Sequence, residues 1–372
     1  MEHERGEAAR AFLAAAGWDD ASVTALPGDA STRQYFRVRR NGESAMLMDQ
    51  PQNAEAVPCP PMATPEERQA LGYNAVARLA GADCGRFIAA AQFLRSRGLA
   101  APEIYADDAG NGFVLLEDLG DDLYADVLDT GVDEEMLYGA AIDAIACLHV
   151  DRAPPQLSPD ALLYDYDLTA CLAETDLMTE WFMPLALGRR ASADEMEEHR
   201  GLWREAIAVV GSQGPVFVHR DYHAQNLFWL PRRSGAGRVG MIDFQDALAG
   251  TRSYDVISLL EDARRDVAPE LAAAMKERYL AAMKAEGREL DRESWTAEAA
   301  VMAAQRNAKI AGIFARLASR DGKPRYLAHL PRVWTYLESD LAHPALGRLR
   351  AWYDRVIPRE TRSAVQREGA FA

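Results

Sequence analysis

Cysteine is scarce in this sequence. The 372 residues hold four, Cys59, Cys84, Cys147 and Cys171, and no two of them form a Cys-x-x-Cys pair. That spacing supplies neither a zinc site nor a redox motif, and scattered thiols suit a reducing compartment. Positive charge is also in deficit: 41 Lys and Arg stand against 57 Asp and Glu, a net charge of −16. A surface of that sign repels nucleic acid and anionic membrane, so neither is expected as a partner. No apolar run approaches the roughly 18 residues of a membrane span. The opening Met1-Glu2-His3-Glu4-Arg5 lacks the apolar stretch of a secretory signal. These absences point to a cytoplasmic protein.

Apolar residues, by contrast, make up 49% of the chain and charged residues 26%. That balance supports a packed core, and the length suits one large domain or two ordinary ones. An amphipathic helix is expected from about residue 5 to 16, with Ala8, Phe12, Leu13 and Ala16 on one face. Strand-like runs follow at 22–26, 34–39 and 44–48, with a loop rich in small residues at 27–33. Residues 50–64 are rich in proline, and Thr64-Pro65-Glu66-Glu67 reads as a helix start, with the helix running to about 79. A further helix is expected at 86–97 and strands at 104–105 and 113–116. Beyond Leu119-Gly120-Asp121-Asp122 helical spacing dominates, over Leu137 to Leu148 and near 195–210, 254–264, 268–285, 295–318 and 345–356. The expected architecture is α+β and two-lobed, a small β-rich N-terminal lobe over 1–118 and a large, mainly helical C-terminal lobe over 119–372.

One β-containing island, 216–242, interrupts the helices. Val216-Phe217-Val218 reads as a buried strand and leads into His219-Arg220-Asp221-Tyr222-His223-Ala224-Gln225-Asn226. Strands at 227–230 and 239–242 flank a turn and end at Asp243. Such a hairpin folds the chain back and sets Asp243 beside Asn226, with Asp221 on the same short loop. Phosphoryl transfer needs this set of groups. One carboxylate orients the acceptor hydroxyl and takes its proton, the role that fits Asp221. Hard oxygen ligands hold Mg²⁺ against the phosphates, the role that fits Asn226 and Asp243.

Residues 219–226, the run Ile242-Asp243-Phe244-Gln245-Asp246-Ala247 and the continuation Gly250-Thr251-Arg252-Ser253-Tyr254-Asp255 resemble the motifs of the aminoglycoside phosphotransferase family, whose kinase-like fold choline kinases share. The resemblance implies an ATP- and Mg²⁺-dependent kinase of a small molecule, with the nucleotide between two lobes. It implies that Asp255 supports the catalytic loop. Within that family the sequence is most similar to the bacterial sugar 1-kinases of cell-wall recycling, through Ser31-Thr32-Arg33-x-Tyr35-Phe36, Leu47-Met48-Asp49, Gly312 to Leu317 and Asp321 to Tyr326. That likeness implies the anomeric hydroxyl of N-acetylmuramate or N-acetylglucosamine as acceptor. The alternatives are another acceptor, such as an aminoglycoside, choline or a different sugar, or a nucleotide-binding pseudokinase.

Two features depart from the general kinase pattern. The strand 44–49 lacks the ATP-contacting Lys, and the helix at 86–97 lacks the Glu that pairs with it. Arg33 is the candidate to neutralise phosphate in its place, with backbone N–H groups of Ala30, Ser31 and Thr32 cradling the phosphates. Glu117 and Leu119 fall at the expected hinge, where backbone groups meet adenine. Asp243-Phe244 is followed by Gln245 rather than Gly, and no Ala-Pro-Glu segment occurs, which argues against a protein kinase. His219 is expected to organise the loop. His223 either contacts the acceptor or is an exposed loop residue, and Asp246 either faces acceptor or metal or caps the next turn. Arg306, Lys309 and Arg316 lie three and seven apart near one helical face. Lys309 and Arg316 are candidates for an anionic group on the acceptor, the other reading being a surface stripe paired with nearby acids.

Overall fold

The computed structural model describes residues 2–27, 33–51, 59–79, 83–211 and 214–362. In chain order it contains α1 (Glu2–Ala15), β1 (Ser22–Ala25), β2 (Gln34–Arg40), β3 (Glu43–Asp49), α2 (Pro65–Leu71), α3 (Cys84–Ser96), β4 (Ile104–Asp108), β5 (Phe113–Glu117), α4 (Tyr124–Asp129) and α5 (Glu134–His149). Two short strands follow, β6 (Gln156–Ser158) and β7 (Ala161–Leu162), then α6 (Leu168–Leu177), α7 (Met183–Leu187) and α8 (Ala193–Ile207). The island contributes β8 (Val216–Val218), β9 (Leu227–Trp229), β10 (Val239–Met241) and β11 (Leu248–Gly250). The chain closes with α9 (Ser253–Leu260), α10 (Pro269–Ala285), α11 (Arg292–Ser319), α12 (Leu330–Asp340) and α13 (Gly347–Val356).

These elements form two compact units, Met1–Leu148 with Pro154–Tyr164 and Ala224–Ala247, and His149–Ala153 with Asp165–His223 and Leu248–Ala372. The first unit is built on an antiparallel sheet in the order β1-β2-β3-β5-β4. Its register places Phe36 opposite Leu47 and Leu47 opposite Leu115. Phe12 and Leu13 of α1 cover one face, packing with Trp18, Val38, Ala45, Phe113 and Leu115. Gly112, at φ 79°, lets the β4–β5 turn approach this sheet, because a Cβ there would fall 1.9 Å from the carbonyl oxygen of Gln50.

The second unit is helical. Its core gathers Met178, Phe182, Trp203, Val301, Phe314, Leu330, Val333, Trp334, Leu337 and Trp352, with α11 through the middle. Gly312 on α11 sits against the end of α6, where a Cβ would lie 2.4 Å from the Leu177 side chain and 2.5 Å from its backbone.

The α+β organisation agrees with the sequence, though some elements differ. α5 joins the first unit up to Leu148, and so does the hairpin of the island, because β10 bridges Ala100 and β9 bridges Leu123. The helix expected over 64–79 is two pieces. Thr64 and Glu67 form the capping box that starts α2. Gly72, at φ 97°, then ends it, and a π-helical turn follows at Asn74–Arg78. Helices α6 and α12 were not expected at all. In α12 the apolar positions Leu330, Val333, Trp334 and Leu337 carry a helical period that an eleven-residue element shows only briefly. Among the described residues no helix is long and apolar enough to cross a membrane.

Candidate active site

The signature loop leaves β8 in the second unit and enters β9 in the first. Asp221 therefore lies in the second unit, and Asn226 and Asp243 lie in the first.

In the second unit β8 pairs antiparallel with β11, so that Val218 opposes Leu248 and the chain emerges at His219. Asp255, in the first turn of α9, accepts backbone N–H bonds from His219 at 2.6 Å and Arg220 at 2.9 Å. A buried carboxylate that takes two backbone donors fixes the loop against rotation. The fixed conformation is strained, since Arg220 has φ 79°, a region that non-glycine residues rarely occupy. The imidazole of His219 packs edge-on against Tyr222, with ring centres 5.6 Å apart. His149 stands behind Asp255, with Nε2 3.8 Å from Oδ2, and burial lowers its pKa.

Asp221 follows directly. Burial would raise its carboxyl, but Lys309 foremost and Arg220 among the others hold it below the usual carboxylate range. It is therefore ionised at neutral pH and suited to orient a hydroxyl more than to act as a strong base. The charges that stabilise it are themselves matched by Glu174 on α6, which is fully buried. Glu174 pairs with Arg220, takes a hydrogen bond from Gln305 at 2.9 Å and lies 3.1 Å from Lys309 Nζ. The Tyr166 hydroxyl also donates to it. Burial pushes the Glu174 carboxyl up, and Lys309 and Arg220 outweigh that and hold it at about 2. Lys309, a candidate for contact with the acceptor, is thus already matched inside the protein. Arg316 lies seven residues further along α11, where its charge reaches Glu180. His223 is buried rather than exposed, and burial lowers its pKa, with Asp262, Arg264, Asp221 and Arg306 as the charges that bear on it.

In the first unit Asn226 ends a short 3₁₀ turn and β9 begins. β9 and β10 pair with Met241 opposite Leu227, and the carbonyl of Asn226 accepts from the N–H of Ile242 at 3.1 Å. Asn226 and Asp243 are therefore neighbours at the open end of this hairpin, as the sequence suggests. Asp243 is also held in the left-handed region, at φ 64°. Arg33 reaches it, with Nη2 3.0 Å from Oδ1 and Nη1 2.5 Å from the side-chain oxygen of Gln245. Gln245 in turn donates to Asp243 Oδ1 at 2.9 Å. Arg33 is thus a buried partner of Asp243, and not a solvated surface residue.

The rest of the segment is braced by residues that sequence reasoning missed. On α3, where general kinases carry a Glu, Arg86 donates to the carbonyls of Gln245 at 2.9 Å and Ala247 at 2.6 Å, and also to that of Leu162. Phe87 stacks on Phe244 with ring centres 5.0 Å apart. Arg78 pairs with Asp246 at 2.8 Å. The available signal was an arginine inside an otherwise apolar helix, which needs a buried acceptor. Glu117 pairs with Arg233, and its N–H donates to the Glu103 carbonyl at 2.8 Å. Leu119 packs toward the hairpin, its Cδ1 3.1 Å from where a Cβ on Gly240 would lie. Ala30, Ser31 and Thr32 lie outside the described residues.

An amide oxygen and a half-exposed carboxylate are hard donors that fit a divalent cation such as Mg²⁺. The described residues include no cluster of three or more His, Cys, Asp or Glu that could hold a metal.

Known proteins resemble this chain along most of its length. The model of the phosphotransferase enzyme family (APH) matches residues 22–291. A protein of Caulobacter vibrioides named N-acetylmuramate/N-acetylglucosamine kinase is 46% identical over 365 residues, 97% of this chain and 99% of its own. One of the same name from Pseudomonas aeruginosa is 33% identical over 91% of this chain and 90% of its own. Among solved structures, a choline/ethanolamine kinase family protein from Mesorhizobium loti superposes with a TM-score of 0.56 at 15% identity, covering 94% of this chain and 98% of that one. An aminoglycoside phosphotransferase in complex with streptomycin and ATP gives 0.52 at 17% identity over 90% of this chain and 96% of its own. At such identities these structures speak for a kinase-like fold alone.

Proposed function

This chain belongs to the phosphotransferase enzyme family, and from that premise we propose that it transfers the γ-phosphoryl group of ATP to the anomeric hydroxyl of N-acetylmuramate and N-acetylglucosamine, sugars released from the cell wall. The near-full-length likeness to the Caulobacter protein carries the choice of acceptor.

Asp221 orients the sugar hydroxyl and takes its proton as the phosphoryl group is transferred. Its carboxylate is ionised at neutral pH and sits on a loop that Asp255 locks, so most of its contribution is positional. Asn226 and Asp243 hold Mg²⁺. That ion, when bound, neutralises charge that develops on the phosphates. Gln245 and Arg86 keep Asp243 aimed, and Arg33 sets a guanidinium beside the same oxygen, where other kinases rely on a strand lysine. Backbone groups near Glu117 and Leu119 receive the base. His223 and Asp246 complete the acceptor side.

The test is a coupled ADP-release assay with ATP, Mg²⁺ and a panel of N-acetylmuramate, N-acetylglucosamine, choline and kanamycin. Release with the two N-acetyl sugars alone is expected. Release only with choline or kanamycin would overturn the choice of acceptor, and silence across the panel would overturn the kinase.

A further inference from the structure

Buried arginines need an acceptor, either a carboxylate or a carbonyl oxygen. Buried guanidinium groups are expensive to desolvate and are normally matched. Several arginines show this: Arg33 has Asp243, Arg37 has Asp118, Arg220 has Glu174, Arg332 has Asp266 and Arg362 has Glu338, while Arg86 and Arg306 meet backbone carbonyls and Arg238 lies over the Trp229 ring. Arg264 does not. It lies in the turn that leaves α9, is half-buried, and its guanidinium has no hydrogen-bond or ion-pair partner among the described residues.

A second orphan sits two residues away. Asp262 is 2% exposed. Its Oδ1 accepts the backbone N–H of Arg264 at 2.8 Å, while its Oδ2 is buried with no donor among the described residues. The two orphans share one neighbourhood. Both charges bear on His223, and both bear on His329 of the segment before α12. The N–H of His223 donates to the carbonyl of Asp221 at 3.1 Å, so this neighbourhood adjoins the acid of the signature loop within the same unit. The other basic residues of this face are engaged. Lys309 is matched by Glu174, and Arg306 donates to the carbonyl of Glu261 at 3.1 Å.

A cation without an anion beside a carboxylate oxygen without a donor describes the complement of a ligand with one acid group and one O–H or N–H group. N-acetylmuramate differs from N-acetylglucosamine by a lactyl ether that carries a carboxylate. Resting on the kinase reading for these two sugars, we propose that Arg264 binds the acid group of the acceptor, with Asp262 taking a hydroxyl or amide hydrogen of the same molecule, and that this pair favours the acid sugar over the neutral one. Arginine suits the task because its planar fork meets a carboxylate through two parallel bonds.

The test is steady-state turnover of Arg264→Ala, Arg264→Gln and Arg264→Lys with each sugar separately. A charge-assisted contact of this kind is worth about 10- to 100-fold in affinity. The KM for N-acetylmuramate should therefore rise by about that factor in the neutral variants, while N-acetylglucosamine changes little and so reports that the protein is folded. Arg264→Lys should recover part of the loss. An equal loss for both sugars, or no loss for either, would overturn the assignment and leave the kinase standing. A wild-type protein that phosphorylates neither sugar would overturn the acceptor itself, and this inference with it.

Discussion

Glu174→Gln removes the negative charge at the centre of the second unit's polar core. Glu174 is fully buried, and it matches Arg220 and Lys309, whose side chains are 4% and 13% exposed. With glutamine in place, both cations stay buried with Asp221 as the remaining carboxylate that bears on them. Breaking a buried pair in this way costs about 3–5 kcal/mol. An independent route gives a similar figure. The carboxyl is held at about 2 against its ordinary 4.5, and a displacement of that size corresponds to about 3 kcal/mol. Because the folded-state pKa is depressed, this stability is present above about pH 4.5 and is lost as the pH falls toward 2. Urea unfolding at pH 7 should show the variant less stable by about 3–5 kcal/mol, with an unchanged slope, and the variant should lack this part of the wild-type acid sensitivity. Adding Lys309→Met should restore part of the loss, since removing both members of a buried pair is far milder than removing one. A Glu174→Gln protein within about 0.5 kcal/mol of wild type, the scatter of ordinary surface changes, would refute the view that this carboxylate balances the loop.

Asp221→Asn should lower kcat by about 10²–10⁴-fold in a protein that still unfolds cooperatively, the range expected when a positioned acid–base group is lost; near-normal turnover would remove Asp221 from the chemistry. Asp243→Ala should raise the Mg²⁺ concentration needed for half-maximal activity, measured by titrating the metal at fixed ATP, and an unshifted titration would deny it the ligand role. Gly312→Ala should destabilise by about 1–3 kcal/mol in thermal unfolding, as overpacking does, because its Cβ would meet Leu177 at 2.4 Å. An unchanged midpoint would mean that α11 shifts freely away from α6.

The signature loop was legible because its chemistry is local. Asp221 and Asn226 share eight residues with His219, and a hairpin of short strands brings Asp243 to Asn226, so spacing alone carries the arrangement. The helix start at Thr64 was legible for the same reason, the capping box being four residues long. What holds the loop was not legible, since its partners come from far along the chain. Glu174 precedes Arg220 by 46 residues and Lys309 follows Glu174 by 135, and no periodicity links them. Arg86 reaches Gln245 across 159 residues. The lack of an acid on α3 is visible in the sequence, but the carbonyls that Arg86 meets there are not. Lys309 and Arg316 attracted attention as a basic stripe because a stripe is visible in sequence, whereas the acid that matches Lys309 is visible only in three dimensions. Arg264 drew no attention for the converse reason, because the absence of a partner leaves no mark on a sequence.

Transfer to the anomeric hydroxyl consumes the reducing end of the sugar. With N-acetylglucosamine as acceptor, ADP release and loss of reducing sugar can be followed in the same reaction, and the phosphorus spectrum of the product recorded. Transfer to the anomeric hydroxyl predicts one reducing end lost per ADP formed and a phosphorus resonance coupled to the anomeric proton. ADP formed while the reducing end persists would place the phosphate on another hydroxyl and contradict the assignment.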